Sequence, residues 1–146
     1  MARSTKNRLK SLLEAIQTRL RTIAVGTYFN NTLASGQVEI GYKSIDECNK
    51  FPHIYIASVT EGPSIPVRRT QFENRLECEI FGYVKSTREA LEEALKLQSD
   101  MEQSLCADES FGSKATRLSI RSEVAAMKEH GVVHMIVYLD SQYEEE

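Results

Sequence analysis

The chain has 146 residues, 41% of them hydrophobic and 27% charged, with 18 Lys and Arg against 21 Asp and Glu for a net charge of −3. That length suits one domain over residues 1–146, and the apolar share is enough for a core, which excludes disorder as the default. The slight acidity offers no broad basic face of the kind that nucleic-acid binding requires.

Residues 4–23 carry Leu9, Leu12, Leu13, Ile16, Leu20 and Ile23 at steps of three and four, which predicts an amphipathic helix. Its basic residues Arg3, Lys6, Arg8, Lys10 and Arg19 read as a solvated face. Gly26 ends that pattern, and residues 27–35 are polar with Asn30-Asn31 as a turn signal. A short strand is expected over 37–42 around Val38 and Ile40, followed by a polar stretch over 43–50. Residues 51–59 form a second strand, apolar on both faces, so both faces should be covered. Residues 60–70 hold Pro63 and Pro66 and then Arg68-Arg69, and read as a stiffened loop without regular pairing.

The chain is organised around residues 72–84. Phe72, Asn74, Leu76, Cys78, Ile80, Gly82 and Val84 alternate with Glu73, Arg75, Glu77, Glu79, Phe81 and Tyr83. A period of two sends these sets to opposite faces of a sheet, one for a core and one for water or another protein. Ser86 and Glu89 then have the spacing of a capping box. The helix after it should run to about Cys106 on a stripe of Ala90, Leu91, Ala94, Leu95, Gln98, Met101 and Leu105, with Glu92 and Lys96 as an i,i+4 pair. Strands follow over 116–124 and 132–140, joined through 125–131. The order α-β-β-β-α-β-β predicts an α+β fold, with a mainly antiparallel sheet and both helices on one face. The other face keeps Glu73, Arg75, Glu77 and Glu79 exposed.

Constellations for catalysis are thin. His130 and His134 stand four apart, but on a strand, with Gly131 between them and Glu129 outside the pair, which is not the HExxH arrangement. Glu77 and Glu79 share a strand face roughly 7 Å apart, yet a charged sheet face with Arg75 as ion partner explains them. Glu92-Glu93 and Asp108-Glu109 are neighbouring carboxylates with nothing to mark a pocket. Cys48, Cys78 and Cys106 lie far apart with no Cys-x-x-Cys, which argues against a disulfide frame or a thiolate zinc site, and Cys78 falls on the core face. No phosphate-binding Gly-rich motif occurs. The N-terminus is basic and polar with no apolar run behind it, so no secretory signal is read, and no segment approaches the ~20 apolar residues of a membrane span. The expectation is a binding or assembly protein without cofactor or metal, not an enzyme, made in a reducing cytoplasm.

Gln37-Val38-Glu39-Ile40-Gly41, then Phe51-Pro52-His53-Ile54-Tyr55-Ile56, then Leu76 through the run Gly82-Tyr83-Val84-Lys85 and a capped helix, resemble the tail terminator proteins of long-tailed bacteriophages. The family order of N-terminal helix, short strand, Phe-Pro strand, long strand, helix and closing apolar strand matches, the last here over 132–138. His53 stands where the family often has a small residue, and residues 108–131 lie outside the resemblance. The resemblance implies a structural virion protein that forms a six-membered ring on the tail tube, ends tube growth and presents a surface to a head–tail connector or stopper protein. DNA would pass through the lumen without sequence-specific binding. Arg68 and Arg69 would contact the tube or a neighbour, while Glu73, Arg75, Glu77 and Glu79 would line the lumen or a subunit interface. Another neck protein, or a small cytoplasmic ligand-binding domain, remains as the alternative.

Overall fold

The computed structural model describes residues 5–25, 29–62, 65, 66, 69, 71–106 and 117–144. Its elements are helix α1 (Thr5–Arg21), strands β1 (Val38–Ile40), β2 (His53–Glu61), β3 (Ile65–Pro66) and β4 (Gln71–Lys85), helix α2 (Ala90–Cys106), and strands β5 (Arg117–Met127) and β6 (His130–Glu144). The protein is α+β, as its element order predicts. The sheet runs β1-β2-β4-β6-β5, with β3 paired to β4. Among the described residues β1 and β2 pair in parallel and the other ladders are antiparallel.

β4 is the centre. It pairs with β6 without a break from Gln71↔Glu144 to Lys85↔His130. Its even positions Asn74, Leu76, Cys78, Ile80 and Val84 are buried, while Arg75 and Glu77 are exposed. Burial pushes the Cys78 thiol up to about 12, with the Glu79 charge adding to it, so the residue stays a neutral core group. Both helices pack on this even face. Leu12, Ile16 and Leu20 of α1 join Leu97, Met101 and Leu105 of α2 over Ile54, Ile56, Ile80, Met135 and Val137 in one cluster. α1 is also fastened to β1, where Gln17 Nε2 and Arg21 Nη2 donate to the Val38 carbonyl at 3.0 and 3.2 Å.

α2 differs from its expected stripe. Leu91 and Leu95 are exposed and Leu97 is buried instead. Two glycines set this rotation. A Cβ on Gly82 would lie 2.8 Å from Leu97 Cδ2, and one on Gly131 would lie 2.4 Å from the Ala90 carbonyl oxygen. The helix settles into the space where those strands lack side chains, and Leu97 is the residue turned into it. The capping box forms by half: the Glu89 N–H donates to Ser86 Oγ at 3.1 Å, but the Ser86 N–H donates to the Glu129 carbonyl. Lys96 pairs with Glu93, not Glu92.

Two connections are tighter than expected. β5 and β6 meet in a hairpin whose turn is Lys128-Glu129, and Lys128 takes a positive φ of 55°. The proline loop also contributes to the sheet: Ile65 pairs with Glu73 and Pro66 with Phe72. A proline is tolerated there because β3 is an edge, where a missing N–H breaks no ladder. The expected loop tip residue Arg68, the basic residue Arg3, the pair Asp108-Glu109 and the end of the acidic tail lie outside the described residues.

Candidate interaction surface

The sheet face away from the helices divides into a charged half and an aromatic half along β4. In the charged half, Glu73 and Glu79 are half-buried and Arg75 and Glu77 exposed. Arg75 does not pair with Glu77 or Glu79, its expected partners. Pleating places it directly opposite Asp140 of β6, where Nε donates to Oδ1 at 2.9 Å, and its guanidinium lies 5.8 Å from the Tyr138 ring. The Asp140 hydrogen bond, then its charge, raise the Arg75 pKa. Glu79 lies 3.7 Å from His134 Nε2, and Glu123 of β5 lies 3.4 Å from Nδ1 on the other side. His134 is thus half-buried between two carboxylates, as a strand histidine, with His130 at the far end of the β4–β6 ladder opposite Lys85.

The aromatic half begins at Phe81. Its ring stacks on His134 at 4.6 Å and on Tyr55 at 5.2 Å, and Tyr42 meets Tyr55 edge-on at 5.7 Å. The band crosses β6, β4 and β2 because Phe81 pairs with both His134 and Tyr55 in the two ladders. The segment between β1 and β2 folds back over its end, through a short 3-10 turn at Ile45–Glu47, so that Cys48, Tyr55 and Tyr83 form a second buried cluster. Tyr83 donates its hydroxyl toward the Lys43 carbonyl at 3.1 Å or the Tyr55 hydroxyl at 3.0 Å. Burial and that shared hydrogen bond raise the Tyr55 pKa, and burial raises those of Tyr83 and Cys48. Both faces of the β2 run are therefore covered, one by helices and one by this segment. His53 is buried there with Nε2 unpartnered, and burial lowers its pKa.

Beside this cluster an open groove of about 730 Å3 runs between the folded-back segment and the β5–β6 turn, lined by Tyr42, Ile45, Phe81, Tyr83, Met127 and Val132. Glu77 and Glu79 are not among its lining residues. Among the described residues no group of three His, Cys, Asp or Glu is placed to hold a metal ion, and no helix is long and apolar enough to cross a membrane. Arg69 is exposed just before β4, at the charged end of the sheet, and the structure does not describe its neighbour Arg68.

The row Glu73, Arg75, Glu77, Glu79 was readable from alternation. The aromatic band was not, because Tyr55, Phe81 and His134 come from three strands and meet only through register. Asp100 was missed as well. Its position on the stripe of Leu97 and Ser104 was the available signal, since an acid there must be buried and therefore partnered. Compared with known proteins, the chain matches no family model, and no curated protein is significantly similar to it in sequence.

Proposed function

We propose that the protein is a structural subunit of a phage virion, a tail terminator that caps the tail tube as a ring, ends tube growth and offers the surface for head–tail joining.

 The observation that carries the reading is the two-sided sheet in this element order: helices close one face, and the other presents Glu73, Glu77 and Glu79 in a row. An acidic row suits a lumen through which DNA slides, since phosphates bind basic surfaces. In this reading the row faces the lumen or a neighbouring subunit, Arg69 and its neighbour Arg68 meet the tube, and the partners are the tail tube protein and a head–tail connector or stopper. The role is structural, in the virion neck after assembly in the host cytoplasm. The test is native mass over a concentration series, with and without tail tubes, followed by complementation with Arg68→Glu/Arg69→Glu. A ring with a central hole and failed head–tail joining by the folded double variant are expected. Absence of rings even on tubes would overturn the proposal.

A second reading rests on the groove beside Phe81 and Tyr83, whose size and aromatic lining fit a small apolar ligand. A saturable rise in melting temperature with one metabolite class, and its loss in Phe81→Ala, would favour a ligand-binding domain over a ring subunit.

A further inference from the structure

β5 is an edge strand. Among the described residues it pairs only with β6, over all its residues from Arg117↔Asp140 to Met127↔His130, with no shift of register. Its sequence has no proline, and it has no bulge in that ladder. Such a long regular edge leaves a row of N–H and C=O groups ready to pair with another chain, and proteins usually blunt one with a proline, a bulge, charged side chains or a covering segment. The charges here are Arg117, Arg121 and Glu123, of both signs, and Arg121 and Glu123 are exposed and stand two apart on one face.

The core is also unfinished at this edge. Leu118, Ile120 and Val124 pack against it yet are only half-buried, whereas Val133, Met135, Val137 and Leu139 on the adjacent strand are 0–1% exposed. A cleft of about 270 Å3 opens there between α2 and β5, lined by Glu102, Cys106, Leu118, Ser119 and Ile120. The flank of α2 above it is polar beside the cleft and apolar toward the start of the helix. Gln98 and Glu102 hydrogen-bond Ser122 of β5, each at 2.8 Å. Leu91 and Leu95 continue that row at helical spacing, and they are 50% and 49% exposed.

We infer that the outer edge of β5 pairs with the β5 of a second copy, antiparallel and centred on Ser122, to make a two-fold dimer with one continuous sheet. The strand is complementary to itself in that register and in full overlap, because Ser122 is the midpoint of Arg117–Met127. Arg121 then faces Glu123 of the second copy, twice by symmetry. Ile120 faces Val124 and Leu118 faces Ala126 on the core side, which completes the burial of the half-covered residues. Cross-strand pairs of opposite charge attract and like charges repel, so the register is chosen by charge as well as by shape. The contact closes at two copies. It is therefore separate from any contact that repeats round a ring, and it stands or falls independently of the tail-capping reading.

The experiment is disulfide trapping in the full chain. In a Cys106→Ser background, Ser119→Cys/Ala125→Cys should form a covalent dimer under mild oxidation, because position 119 faces position 125 of the second copy. Within one chain these positions lie roughly 20 Å apart along the strand, so they cannot bridge internally. Either cysteine alone should give no dimer. Sedimentation of the unmodified chain should show a dimer, weakened on the order of tenfold or more by Glu123→Arg and restored by Arg121→Glu/Glu123→Arg. Equal trapping by a single-cysteine variant, no trapping by the folded double-cysteine variant, or a folded charge-swap variant that does not regain the dimer would overturn the proposal.

Discussion

Asp100 gives the sharpest test of how the helices are held. It is fully buried in α2. Oδ1 accepts the Asn30 backbone N–H at 2.9 Å and Asn30 Nδ2 at 3.0 Å; Oδ2 accepts the Asn31 N–H at 2.9 Å and Asn31 Nδ2 at 2.8 Å. One carboxylate thus fastens the segment between α1 and β1 to α2. Asp100→Ala removes all four bonds. Hydrogen bonds to a charged group contribute about 1.5–3 kcal/mol each, but these four share one group and are not additive. Asn30 is exposed, so its amide can turn to water, and Asn31 is half-buried. The losses that remain are chiefly the two backbone donors, which puts the cost at about 3–5 kcal/mol. That is a large part of the ~5–15 kcal/mol by which a domain is stable. Asp100→Asn keeps the shape but turns one donor toward donors, and should cost roughly half as much. Urea unfolding followed by circular dichroism measures both. The midpoint should fall in the order wild type, Asp100→Asn, Asp100→Ala, with the slope unchanged. An Asp100→Ala variant that unfolds at the wild-type midpoint would refute the reasoning.

Two further outcomes follow from the packing. Gly131→Ala places a methyl group 2.4 Å from the Ala90 carbonyl oxygen and 2.8 Å from Ala94 Cβ, where only backbone movement gives room, and should cost about 1–3 kcal/mol in thermal melting; Gly36→Ala, which meets nothing within 4 Å, is the comparison. The lowered pKa of buried His53 means that the unfolded chain takes up a proton that the folded chain refuses, so stability from this residue is present above about pH 6.5 and is lost as the pH falls below it. His53→Gln should flatten the fall in urea midpoint between about pH 7 and 5 relative to wild type, and an unchanged slope would show that His53 does not titrate across folding.

Periodicity alone determined the two helices, the central strand and which of its faces is buried, because alternation in β4 and the steps of three and four in α1 are properties of neighbouring residues. It also placed Glu73, Arg75, Glu77 and Glu79 on the open face. What it could not supply was anything that depends on which strands meet. Arg75 finds Asp140 rather than Glu77, and Phe81 comes to lie between Tyr55 and His134, only because β4 sits between β2 and β6 in a particular register. The rotation of α2 was decided in the same way. Leu91, Leu95 and Leu97 are equally apolar in the sequence, and the bare backbone at Gly82 and Gly131 selects Leu97 for the core and leaves the other two beside the open edge of β5.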